Sequence, residues 1–128
     1  MTRKKIMLVD DSSTALLMEK AILAKRNFVL VTARDGEEAV AMSRAERPDV
    51  ILMDVMMPKM NGFEACRRIR DDPQTKDIPI IMVTTRGEME NLETGYASGC
   101  SDYVTKPING LELLTKLEDL LGGAEVGR

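Results

Sequence analysis

Asp10, Asp11, Asp54, Thr84 and Lys106 are the residues whose types and spacing could do chemistry, because each stands just past a short apolar run. Asp54 poses the question most sharply. It follows directly on Val50, Ile51, Leu52 and Met53, a run apolar enough to be a strand buried on both faces, with the turn-forming stretch MPKMNG close behind. A carboxylate at the mouth of a buried strand must be paired, hydrogen-bonded or metal-bound, since otherwise its lost hydration goes uncompensated. Two carboxylates about 4 Å apart repel by about 4 kcal/mol at an effective dielectric of about 20, so crowded aspartates must take up protons or recruit a cation. Lys106 supplies one positive charge. The remaining negative charge consists of hard oxygen ligands, which suit Mg²⁺. A carboxylate beside Mg²⁺ and a lysine is a nucleophile suited to a phosphoryl group, whose oxygens the two cations neutralise, with the Thr84 hydroxyl donating a hydrogen bond.

These residues need elements that bring them to one place. Val- and Ile-rich runs at Ile6 to Val9, Phe28 to Val31, Val50 to Met53, Ile80 to Val83 and Tyr103 to Val104 read as strands. Between them, residues of helical period predict helices: Ala15, Met18 and Ile22; Ala39 and Met42; Phe63, Cys66 and Ile69; Met89, Leu92 and Tyr96; and Leu113, Leu114, Leu117, Leu120 and Leu121. Ser12 or Ser13 caps the first helix, Asp35-Gly36 opens the second and Pro48 closes it. Asn61-Gly62 opens the third, and Asp72-Pro73 ends it. Alternating strands and helices predict an α/β fold, a doubly wound parallel sheet covered by helices on both faces. In strand order 2-1-3-4-5 the first and third strands are neighbours, and ligands bind beyond the strands' carboxyl ends where the order reverses. Asp10, Asp11 and Asp54 then share one crevice with Thr84 and Lys106. Singly, the aspartates read as helix caps or an Asx turn, Thr84 as a strand residue, Lys106 as a solvated lysine and Tyr103 as packing. Their common position at strand ends is what those separate roles do not predict.

Composition narrows the function further. The chain of 128 residues is the size of one domain, expected over residues 1–121, with 122–128 as a loose tail. A net charge of −3 with 30% charged residues offers no basic field for nucleic acid or an anionic membrane. No run approaches membrane-spanning length. Cys66 and Cys100 fit no metal or disulfide spacing and read as buried thiols in a reducing, cytoplasmic setting. The chain has no histidine, which removes the Ser-His-Asp triad, the usual zinc sites and the commonest general base. Most of the ten methionines read as packing, and Arg67, Arg68 and Arg70 as a solvated helix face.

The motifs VDD at 9–11, D-x-x-M-P-K-M-N-G from Asp54 to Gly62, VTT at 83–85 and DYVTKP at 102–107 match one family in order and spacing. The chain resembles the receiver domain of bacterial two-component response regulators, a CheY-like, flavodoxin-like (βα)5 sandwich, over residues 4 to 121. The resemblance implies that Asp54 accepts phosphate from a phosphohistidine on a sensor histidine kinase or phosphotransfer protein. It implies that Asp11, Asp54 and the Met56 backbone carbonyl hold Mg²⁺, with Asp10 acting through a water. Thr84 and Tyr103 would be the switch pair, Lys106 would contact the phosphoryl group, and its bond to Pro107 would be cis. The response would reshape the face made by the fourth helix, fifth strand and fifth helix (the family's α4-β5-α5 face), read by a downstream protein. The chain would be a monomer or a weak phosphorylation-dependent dimer, with no nucleic acid or membrane bound directly. Met56 and Arg86 stand where the family tunes the lifetime of the phosphorylated state; an apolar Met56 orients no water and implies a long one. Thr85 stands where the family usually has alanine. The resemblance implies no enzyme beyond self-catalysed transfer and slow autodephosphorylation. A phosphatase would need a second acid at position 56, and a flavin-type cofactor binder would need a phosphate loop where Asp10-Asp11 stands. A receiver-like module acting without phosphorylation is the remaining alternative.

Overall fold

The structure, a computed structural model, describes residues 3–85 and 97–122. In chain order the elements are β1 (Lys5–Val9), α1 (Ser13–Leu23), β2 (Val29–Ala33), α2 (Gly36–Glu46), β3 (Val50–Asp54), α3 (Gly62–Asp71), β4 (Ile80–Thr84), β5 (Asp102–Thr105) and a C-terminal helix, Gly110–Leu120. The predicted helix around Met89, Leu92 and Tyr96 lies outside the described residues, as does Arg86. All strand pairs are parallel and the order is β2-β1-β3-β4-β5, as expected. β2 begins one residue later than predicted and runs two further, in register with β1 through Val9↔Ala33. Among the described residues no helix is long and apolar enough to cross a membrane.

Side chains two apart in a strand share a face, and this periodicity divides the core into two layers. Ile6, Leu8, Val50, Leu52, Ile81 and Val83 pack with Leu16 and Leu23 of α1 and with Leu113, Leu114 and Leu117 of the C-terminal helix. Met7, Val9, Ile51, Met53, Ile80 and Met82 pack on the other side, with Ala39 of α2 and Phe63, Cys66 and Ile69 of α3. Among the described residues the buried methionines, Met7, Met53, Met60 and Met82, all belong to this second layer. Cys66 and Cys100 are free and buried there too. α1, α2, α3 and the C-terminal helix each start on a side chain that accepts a backbone N–H from its first turn: Ser12, Asp35, Asn61 and Asn109.

Two sequence expectations fail. The predicted inner face of α1 was Ala15, Met18 and Ile22, yet the helix buries Leu16, Glu19 and Leu23, while Met18 is 57% exposed. The acid at position 19 interrupts the apolar period on the buried face and shifts the apparent stripe by one residue. Arg70 is likewise no solvated side chain, although Arg67 and Arg68 are exposed. Its guanidinium donates to the carbonyls of Gly99 (2.8 Å), Lys76 (2.9 Å) and Ile78 (2.6 Å), fastening α3 to the segments that enter β4 and β5. We expect Arg70→Ala to lower stability by about 2 kcal/mol, since these are charge-assisted bonds in a partly exposed setting. Arg68→Ala should stay within about 0.5 kcal/mol of the parent. Urea denaturation of the two variants makes the comparison, and equal midpoints would remove the assigned role of Arg70.

Candidate functional site

β1 and β3 lie side by side at the centre of the sheet, and both end at the same edge, in register through Val9↔Met53. Asp10 and Asp54 therefore emerge together. Asp54, the last residue of β3, is 4% exposed, and Asp10, just past β1, is 1% exposed; Asp11 is exposed. The three carboxylates each offer an oxygen, and these oxygens lie within 4.8 Å of one another. Lys106, just past β5, reaches across β4 to place Nζ 2.9 Å from Asp54 Oδ1 and 3.5 Å from Asp10 Oδ2. Burial disfavours the ammonium, but the hydrogen bond and charge of Asp54, together with Asp10, outweigh it and hold the lysine above its ordinary pKa.

Local structure fixes these positions. Asp10 Oδ1 accepts the backbone N–H of Ser12 at 2.9 Å, so the side chain turns back over the start of α1. Beyond Asp54 the chain stays tied to the sheet, because the Val55 N–H donates to the Val83 carbonyl and Gly62 N–H donates back to Val55. The loop is closed so tightly that a Cβ on Gly62 would sit 2.3 Å from the Asp54 carbonyl oxygen. Lys59 in that loop takes a left-handed conformation, φ +68°. The Lys106–Pro107 peptide bond is cis.

Thr84 ends β4 beside Asp54 and is 1% exposed; the register pairs Asp54 with Val83, and the Thr84 hydroxyl donates to the Thr85 carbonyl at 3.1 Å. Tyr103 lies on β5 opposite Met82, half-buried against the methionine-rich layer. The Lys116 ammonium stands 4.8 Å from the centre of its ring and also pairs with Asp102 at 3.1 Å. Met56 is 66% exposed, so the packing role expected of most methionines does not extend to it. The strand-end residues thus gather as expected, while Tyr103 sits apart on the outer strand.

One residue escaped the sequence reading. Glu19 of α1 is 2% exposed, and its Oε1 finds no hydrogen-bond partner among the described residues. Burial first, then the charge of Asp10, pushes its carboxyl up to about 8, with Lys106 opposing and Asp54 adding to the rise. The sequence signal was a single acid three residues after Leu16 and four before Leu23, on what is otherwise an apolar face.

The donor set fits a hard divalent cation. Three carboxylates gather around the Lys106 ammonium, and Asp10 Oδ2, buried and 3.5 Å from that ammonium, has no hydrogen-bond partner among the described residues, an acceptor that a metal or its water would satisfy.

The cluster lies beyond the carboxyl ends of the strands of a doubly wound sheet, where ligands of such folds bind. Residues 6–118 match the response regulator receiver domain, and the chain belongs to that family. It is 40% identical over 119 residues to protein PilH of Pseudomonas aeruginosa, covering 93% of this chain and 98% of PilH. It is 39% identical over 116 residues to the response regulator PleD of Caulobacter vibrioides, covering 91% of this chain but only 26% of PleD. Among solved structures, the receiver domain of the sensor histidine kinase PA1611 of Pseudomonas aeruginosa superposes with a TM-score of 0.87 at 30% identity, covering 94% and 99% of the two chains. That structure has a magnesium ion coordinated in its active site cleft.

Proposed function

We propose that Asp54 is the phosphoryl acceptor of a two-component signalling switch. The observation that carries this is the clamp of Lys106 on Asp54 at 2.9 Å, inside a cluster whose carboxylates lie within 4.8 Å. An Asp54 oxygen attacks phosphorus, the new P–O bond forms as the P–N bond of a phosphohistidine breaks, and the imidazole nitrogen leaves with the electron pair. These 128 residues contain no histidine, so the donor lies outside them, on a sensor histidine kinase or a phosphotransfer protein. Lys106, already on Asp54, neutralises charge on the phosphoryl oxygens, and the Thr84 hydroxyl turns from Thr85 toward them. Asp11, Asp54 and the Met56 carbonyl would hold Mg²⁺, with Asp10 reached through a water. When bound, that ion supplies further charge neutralisation. Met56 brings no polar group to orient a hydrolytic water, which favours a long-lived phosphorylated form.

The output follows from the same residues. Withdrawal of the Thr84 hydroxyl frees space for Tyr103, and the surface around β5 and the C-terminal helix presents a new shape to a downstream protein. Turning such an element from mostly off to mostly on takes about 5.5 kcal/mol of differential interaction, within reach of several charge-assisted hydrogen bonds. The chain would act in the cytoplasm as a monomer or weak phosphorylation-dependent dimer, binding neither nucleic acid nor membrane, and would turn over no substrate beyond its own phosphoryl group.

Incubating wild type and Asp54→Ala with acetyl phosphate and Mg²⁺, then measuring intact mass, tests the proposal. Wild type should gain one phosphoryl group and the variant none. Equal gain by both, or no gain by wild type, would overturn it.

A further inference from the structure

A cavity of about 370 Å³ lies between α1 and the loop after β5, within the size range of small-molecule pockets. Its walls are apolar: Ala15, Met18 and Ile22 on one side, Pro107 and Ile108 on the other. Two charged residues also line it. Lys106 has its ammonium engaged by Asp54 and Asp10. Glu19 is 2% exposed, with an oxygen that has no hydrogen-bond partner among the described residues. A buried acceptor left unpaired is costly, so the cavity favours any occupant that brings a donor.

The sign of the field selects the donor. Among the described residues, the charges of Asp10 and Asp54 beside Glu19 are opposed by that of Lys106, leaving a net negative surrounding. An anion is repelled there, and a purely apolar molecule leaves Oε1 unpaired. We propose that this cavity binds a small amphiphilic organic cation, an ammonium or amidinium head on an apolar body, with Glu19 as its anchor. The head donates to Oε1 and the body covers Met18, Ile22, Pro107 and Ile108. The inference does not depend on phosphoryl transfer at Asp54; it needs the cavity, its buried acid and the charges of Asp10, Asp54 and Lys106 beside it.

Benzylamine titrated into the metal-free protein at pH 8, followed through backbone amide NMR shifts, tests it. Saturable shifts are expected at Ala15, Ile22 and Ile108, weakened about tenfold or more in Glu19→Gln, the loss expected for one charge-assisted contact. Ala15→Leu, which narrows the cavity while keeping Glu19, should abolish the same shifts and decides the matter if Glu19→Gln does not fold. Benzoate should not bind. Shifts confined to Asp10, Asp11 and Asp54, an affinity that neither variant changes, or benzoate binding as tightly as benzylamine would each overturn the proposal.

Discussion

Gly62→Ala is expected to leave a folded protein that accepts phosphate about 100-fold more slowly, the scale of loss associated with misplacing a reacting group by about 1 Å. The cause is contact with backbone. A Cβ at position 62 would meet the Asp54 carbonyl oxygen at 2.3 Å, the Met82 methyl carbon at 2.8 Å and the Asp54 carbonyl carbon at 3.1 Å. The methionine can move aside, but the peptide of Asp54 cannot shift without carrying its carboxylate away from Lys106. Position 62 is the first residue of α3, where the interior helix preference of alanine does not apply, so overpacking of about 2 kcal/mol accompanies the slower rate. Urea midpoints and the rate of mass gain with acetyl phosphate measure the two effects separately. A variant with the wild-type rate would show that the close approach of Gly62 does not position Asp54.

The second large effect belongs to Glu19. Its carboxyl lies at about 8 in the folded chain against an ordinary 4.5. Below pH 4.5 both folded and unfolded chains carry the proton and the group adds no pH dependence. Between 4.5 and 8 the unfolded chain has lost it while the folded chain holds it, so stability falls as pH rises, and above 8 the full penalty remains. The whole shift corresponds to about 5 kcal/mol. Glu19→Leu removes the titration and restores an apolar side chain between Leu16 and Leu23. In metal-free buffer the variant should exceed wild type in stability most at pH 8, and that difference should shrink by about 4 kcal/mol toward pH 5. Urea denaturation across the range checks it, and a difference that does not vary with pH would refute the assignment.

Glu19 also shows where the sequence stops being legible. Asp10, Asp54, Thr84 and Lys106 could be placed because each ends an apolar run, and a parallel sheet brings such ends to one edge whatever the details of packing. Helix starts were legible for a similar reason: Asp35 and Asn61 accept N–H groups within their own first turn, a local interaction. The buried face of α1 was not, because burial there includes an acid whose charged neighbours arrive from β1, β3 and the loop after β5. Arg70 was missed on the same ground, since two of its carbonyl partners lie six and eight residues away and the third twenty-nine. Local patterns report which residues could be inside; they do not report which polar groups find partners across the fold.

The uneven placement of methionine gives the two sides of the sheet different mechanical characters. Beneath α2 and α3 four methionines, whose unbranched thioethers change rotamer readily and absorb small displacements, are mixed into the branched aliphatic filling, whereas among the described residues the core beneath α1 and the C-terminal helix contains no methionine. Volume changes should therefore be cushioned on the sulfur-rich side and transmitted on the other, making α1 and the C-terminal helix the stiff frame against which the rest of the molecule yields.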